Sequence, residues 1–412
     1  MTTTVQQQRT VVLHPLHIGE IEDGAAEVGR PETGVFVSLP EQGVEIIRDL
    51  QRGLTLAEVS ANFAERYGEP PDLDDFLTAL TDCGFVRQVG DERVDATPVG
   101  ADPAAGPAVP QMRGWPLLSS LPTERVAWLV SRPAIIGWVL MWLAVPVIFA
   151  ARPDLIPTGT DGRIGLGVAG DAVALTILGW SLVFVHEVAH LVAVRARGCT
   201  GVLRLSHRLH LLAAETDMSS VRSLPRSQRY VPYLAGMTFT VTALLLTLVA
   251  RLAGLHGQPI PAIGFLCLVT LLLELAFFMR TDVYYVIVTS LRLGNLMSDT
   301  WHFIGNQIAR VLRRPRPYDL SSVPARELRI VRWYSLVLVS GVVIVVGQFL
   351  LLGLPLLISF VRDAVGRIAD GPGTVGFWDA VVLLLLTVAH FGTLGVVAVR
   401  RRLRPVVTDV AG

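Results

Sequence analysis

The sequence predicts a mainly α-helical polytopic membrane protein of about six transmembrane helices, preceded by a small α+β domain. Three observations predict it. Of 412 residues, 51% are hydrophobic, more than a soluble globular domain usually carries. Six runs reach the roughly 18 residues that a bilayer crossing demands: 133–150, 172–194, 231–250, 259–279, 333–361 and 380–399. The first 90 residues, by contrast, read as ordinary soluble sequence and hold charges that the rest mostly lacks.

Within 1–90, "GVFVSL" (34–39) reads as a short strand. "PEQGVEIIRDLQRG" (40–53) and "TLAEVSANFAERYG" (55–68) read as amphipathic helices, each closed by glycine. "DLDDFLTALTDCGFVRQV" (72–89) reads as a third helix turning into a strand. Strand, three short helices and a terminal hairpin form a winged-helix pattern. Residues 91–113, rich in Pro, Ala and Gly and without periodicity, read as a flexible linker, so 114–412 is the membrane-embedded part.

Four of the six apolar runs contain no Asp, Glu, Lys or Arg; the exceptions hold Glu187 and Glu274. All 35 basic residues are arginine, and their placement orients the runs. With the N-terminus inside, the loops 195–230 and 280–332 and the tail carry 7, 9 and 4 Arg, against 2, 1 and 2 in the opposite loops. Both termini are therefore expected in the cytoplasm. The opening stretch has no apolar core of signal-peptide length, which agrees. Net charge is zero, so nothing points to nucleic acid, and three cysteines without paired spacing give no disulfide framework or cysteine-rich zinc site.

The chemistry sits in "LVFVHEVAHLVAVRARG" (182–198). Ionisable groups inside a span are costly, so their presence reads as function. H-E-x-x-H puts His186 and His190 on one helical face, close enough to share a metal, with Glu187 able to act as general base on a metal-activated water. A catalytic zinc site usually has three protein ligands and one open position. By the arginine orientation, Asp282 in "FFMRTDVYYV" (277–286) reaches the same cytoplasmic leaflet as the two histidines and is the candidate third ligand. Glu274 reads as a protonated or hydrogen-bonded packing residue, His207 and His210 as solvated or interfacial, and His390 as a satisfied core residue.

"HEVAH" in a membrane helix, with a distant Asp near a second helix end, resembles the site-2 protease family of intramembrane zinc metalloproteases. "WPLLSSLP" (115–122), "AETDMSSVRSLPRSQRYVPYLAG" (214–236) and "TDVYYVIVTSLRLGNL" (281–296) resemble its peptide zinc metalloprotease branch. The resemblance implies one catalytic Zn2+ bound by His186, His190 and Asp282, with Glu187 as the base. The chain departs from the family at three positions: Ala276 and Phe277 stand where the family usually has Asn-Pro six residues before the aspartate, and Val283 stands in place of the glycine after it. Residues 1–90 resemble the small PqqD-type domain that recognises precursor peptides, which implies a leader peptide held as an added strand.

These readings make the expected activity hydrolysis of a peptide bond in the plasma membrane, on a peptide or membrane-protein substrate. Two substrates are weighed: a ribosomally made precursor peptide, and a membrane-bound signalling protein such as an anti-sigma factor. A non-catalytic peptide-binding transporter or immunity protein is the other class; it would have no use for Glu187.

Overall fold

The computed structural model describes residues 9–21, 24–90, 92–94, 114–208, 211–321, 323–369 and 371–402. Most of the expected linker, 91 and 95–113, lies outside the described residues, as does His210.

The chain begins with β1 (Val11–Leu13), β2 (His17–Ile18), β3 (Ala25–Arg30) and β4 (Val35–Pro40). Three helices follow, α1 (Glu41–Gln51), α2 (Leu56–Tyr67) and α3 (Leu73–Asp82), then the hairpin β5 (Val86–Val89) and β6 (Glu92–Arg93). The strands make two antiparallel sheets, ordered β1-β5-β6 and β2-β3-β4. Local sequence fixes the helix ends. Thr55 and Glu58 form a reciprocal capping box on α2, and Gly68 closes it in the left-handed region at φ 87°. Val28, Val44, Ile47, Phe85 and Val86 form the fully buried centre of this small α+β domain.

The membrane part opens with the single turn α4 (Thr123–Val126) and then α5 (Arg132–Ala151) and α6 (Gly167–Ala196). The hairpin β7 (Val202–Arg208) and β8 (Leu211–Asp217) and a 3-10 turn (Ser219–Ser223) lead into α7 (Arg226–Leu252). After these come α8 (Ile260–Glu274), α9 (Asp282–Ser290), α10 (Leu296–Val311), α11 (Ala325–Gln348), α12 (Leu354–Ala369) and α13 (Val375–Arg402), with one π-helical turn joining α11 to α12.

Among the described residues, five helices are long and apolar enough to cross a membrane: α5, α6, α7, α11 with part of the π turn, and α13. The lipid-type face of α5 is plain in its exposed Ile136, Val139, Leu140, Leu143 and Val147. The expected fourth span, 259–279, is instead a 15-residue helix that stops at Glu274. Its arrest has a local cause. The Thr281 hydroxyl donates to the Glu274 carbonyl at 2.6 Å, and the Asp282 N–H donates to the Glu274 carboxylate at 2.8 Å. These bonds fold the chain back, with Arg280 held in the left-handed region at φ 59°, and restart it as α9.

Helix α7 is the hub. It packs against α5, α6, α8 and α9, and small and hydroxyl residues on it, among them Ala235, Gly236, Thr238 and Thr240, are buried. Such residues let helix backbones approach closely where lipid supplies no hydrophobic drive between helices.

A candidate metal centre

His186 and His190 stand one turn apart on the buried face of α6 against α7. Their rings are 5.0 Å apart, centroid to centroid, and nearly perpendicular at 69°. Each Nδ1 is engaged by α7. His190 Nδ1 lies 2.8 Å from the Pro232 carbonyl, which can only accept, so this nitrogen carries the proton. His186 Nδ1 lies 3.0 Å from Thr240 Oγ1, whose own hydrogen goes to the Gly236 carbonyl at 3.1 Å. That hydroxyl therefore accepts from Nδ1–H. With both protons committed, both Nε2 atoms carry lone pairs, and they face one another at 3.2 Å.

Asp282 completes the set from the first turn of α9. Its Oδ2 lies 2.9 Å from His190 Nε2 and 3.2 Å from His186 Nε2, and it is buried with no hydrogen bond. With both imidazoles neutral, three electron-pair donors thus converge in a low-dielectric interior. Such an arrangement is repulsive unless a proton or a metal cation lies between, and a metal cation is the occupant that all three donors can share. The separations of 2.9, 3.2 and 3.2 Å fit the edges of a small coordination polyhedron. Ligands about 2.0–2.1 Å from a tetrahedral ion sit roughly 3.3 Å from one another. Among the described residues this is the group of His, Cys, Asp and Glu that could hold a metal ion.

Gly236 supplies the space. A Cβ built on it would overlap Nε2 of both His186 and His190, so a side chain there would displace the two imidazoles. Pro232, Gly236 and Thr240 recur every four residues and so share one face of α7. That face carries the acceptor for one histidine, the clearance for both and the acceptor for the other. Sequence reasoning gave these three no role, although a Pro-x3-Gly-x3-Thr ladder on an apolar helix was a legible signal.

Glu187 is buried on α6 beside His186. Its carbonyl accepts from the Thr216 hydroxyl of β8 at 3.1 Å, which ties the hairpin to the site helix. The far edge of that hairpin is pinned by Trp115, whose N–H and carbonyl pair with Leu203 at 2.7 and 3.0 Å. Glu274 is not in the metal group; its carboxylate caps α9 and so orients Asp282. His207 lies on β7, opposite Leu212, and the His390 ring is edge-on to Phe391 in α13, outside the metal group.

No family model matches this chain, and no curated protein or solved structure does.

Proposed function

We propose that the protein is an intramembrane zinc metalloprotease that hydrolyses a peptide bond near the cytoplasmic face of the plasma membrane, with both termini in the cytoplasm. One observation carries the reading: two imidazole Nε2 atoms and the Asp282 carboxylate converge within 3.2 Å while the histidine protons are committed elsewhere. Two imidazoles and a carboxylate match the donor set of catalytic zinc, which keeps one position open. Such an ion, when bound, supplies Lewis-acid activation of water and of a peptide carbonyl.

The chain's own residues do the rest. His186, His190 and Asp282 would hold the ion, and Thr240 and Pro232 keep each imidazole in the tautomer that offers Nε2. Glu187 takes the proton of the attacking water and passes it to the leaving amine. A substrate helix must unwind locally, because its carbonyls are already hydrogen-bonded. The substrate class we favour is a ribosomally made precursor peptide whose leader is held by the N-terminal domain.

The test is a digest of a panel of short precursor peptides by zinc-loaded protein in nanodiscs, read by mass spectrometry beside Glu187→Gln. Cleavage by the parent, and its loss in a variant that still binds zinc, supports the reading. Cleavage that persists without the Glu187 carboxylate contradicts the mechanism.

A further inference from the structure

The sheet β2-β3-β4 has two faces. Ala26 and Val28 of β3 point into the N-terminal core, so Glu27 and Gly29 point the other way, and Phe36 of β4 stands opposite Gly29 on that outer face. An outer face should be wet, yet Phe36 is only 1% exposed although it is no part of the domain's core cluster. What covers it is the segment between β8 and α7. The Arg222 guanidinium lies over the Phe36 ring at 5.8 Å. The Glu27 carboxylate meets Arg222 at 2.8 and 3.0 Å through Oε1 and Arg229 at 2.6 Å through Oε2.

This covering segment also supports the metal site. Arg229 donates to the carbonyls of Leu224 and Arg222, both at 2.7 Å, which locks the 3-10 turn onto the first turn of α7. While Arg222 faces outward, Val221 is fully buried against Val194 and Tyr233. Val194 lies one turn beyond His190 on α6, and Tyr233 follows Pro232, the acceptor of His190 Nδ1. Upstream, β8 carries Thr216 to the Glu187 carbonyl. The docked turn therefore sits between two elements that each hold part of the site.

We propose that Glu27, Arg222 and Arg229 are positioning residues: docking of the N-terminal domain fixes residues 218–233 and thereby the orientation of the His190 imidazole. The inference rests on the metal-site reading for its second half only. The N-terminal domain is then a part of the working site as well as a holder of peptide, and a ligand that shifts this domain changes the metal site through one buried joint.

The experiment uses the full chain in detergent micelles, comparing the parent with Glu27→Gln, Arg222→Gln and a control, Glu45→Gln, which breaks a pair with Arg66 inside the N-terminal domain. Amide hydrogen exchange of 218–233 is read first. Cobalt(II) affinity and the cobalt absorption spectrum are read second. We expect both joint variants to exchange faster in 218–233, to bind cobalt about tenfold more weakly and to shift its spectrum, with the control unchanged in all three. The two joint variants lie on opposite sides of the contact, so a folding defect in one does not decide the outcome. Exchange unchanged in both joint variants overturns the docking. Faster exchange with cobalt affinity and spectrum unaltered overturns the coupling. A parent that binds no cobalt fails the metal-site reading and with it the coupling, and the exchange data still decide the docking.

Discussion

Gly236 faces His190 across the α6–α7 contact with no room for a Cβ between them. The glycine thus keeps open the space beside the two Nε2 atoms, and the expectation is direct. Gly236→Ala puts a methyl group against both histidine Nε2 atoms, and Thr240 and Pro232 tether the two rings it would have to displace. Zinc content of the purified variant should fall to background while helical circular dichroism is retained. Stoichiometric zinc in Gly236→Ala would show that the ion binds elsewhere.

Thr240 holds His186 through a hydroxyl that can only accept from it, because its own hydrogen is spent on the Gly236 carbonyl. Thr240→Val keeps the shape and removes the acceptor. Outer-shell losses of this kind cost about 10–100-fold in metal affinity. Competition with a fluorescent zinc chelator measures it, and Thr240→Ser should restore most of the affinity.

Glu274 tests whether Asp282 is aimed by its cap. The 2.8 Å bond from the Asp282 N–H needs an acceptor, which Gln keeps and Ala lacks. Zinc affinity should stay within about threefold of the parent in Glu274→Gln and fall at least about tenfold in Glu274→Ala. Equal loss in both would point to a role for the Glu274 charge instead of its acceptor.

The joint at Glu27 gives a pH dependence. Burial alone would raise its carboxyl, but Arg222 and Arg229 outweigh this and hold it below the usual carboxylate range. His17 on the neighbouring strand is pushed down, by burial first and then by Arg229. A depressed folded-state value means the joint's stabilisation is complete above the unfolded carboxylate range, about pH 4.3, and is lost as pH falls through the lower folded value. The melting temperature of the N-terminal domain should therefore exceed that of Glu27→Gln by several degrees at pH 7. The gap should close toward pH 3. A gap that is constant across this range would mean the carboxylate charge does not hold the joint.

What was legible in the sequence follows from which signals are local. The i, i+4 histidines announce themselves because helical spacing alone puts them on one face, and the apolar runs because bilayer thickness sets their length. Asp282 was reached by topology, from the arginine bias of the loops, and the structure brings it to the two histidines. The break after Glu274 was not legible, because the run 259–279 carries no charge apart from that residue and the helix is stopped by bonds from Thr281 and Asp282, beyond the run's end. Strand β3, "AAEVGR", was missed for a related reason: two Ala, a Gly and a Glu have poor strand propensity, and pairing along its whole length with β4 forms it. The burial of Phe36 by a turn nearly two hundred residues away has no local signature at all.

The most direct measurement is the metal content of the purified protein by mass spectrometry, beside His190→Ala and Asp282→Ala. The account predicts about one zinc per chain in the parent and none in either variant, since each removes one of three donors. A parent without zinc after reconstitution, or zinc retained when the Asp282 carboxylate is gone, would contradict it.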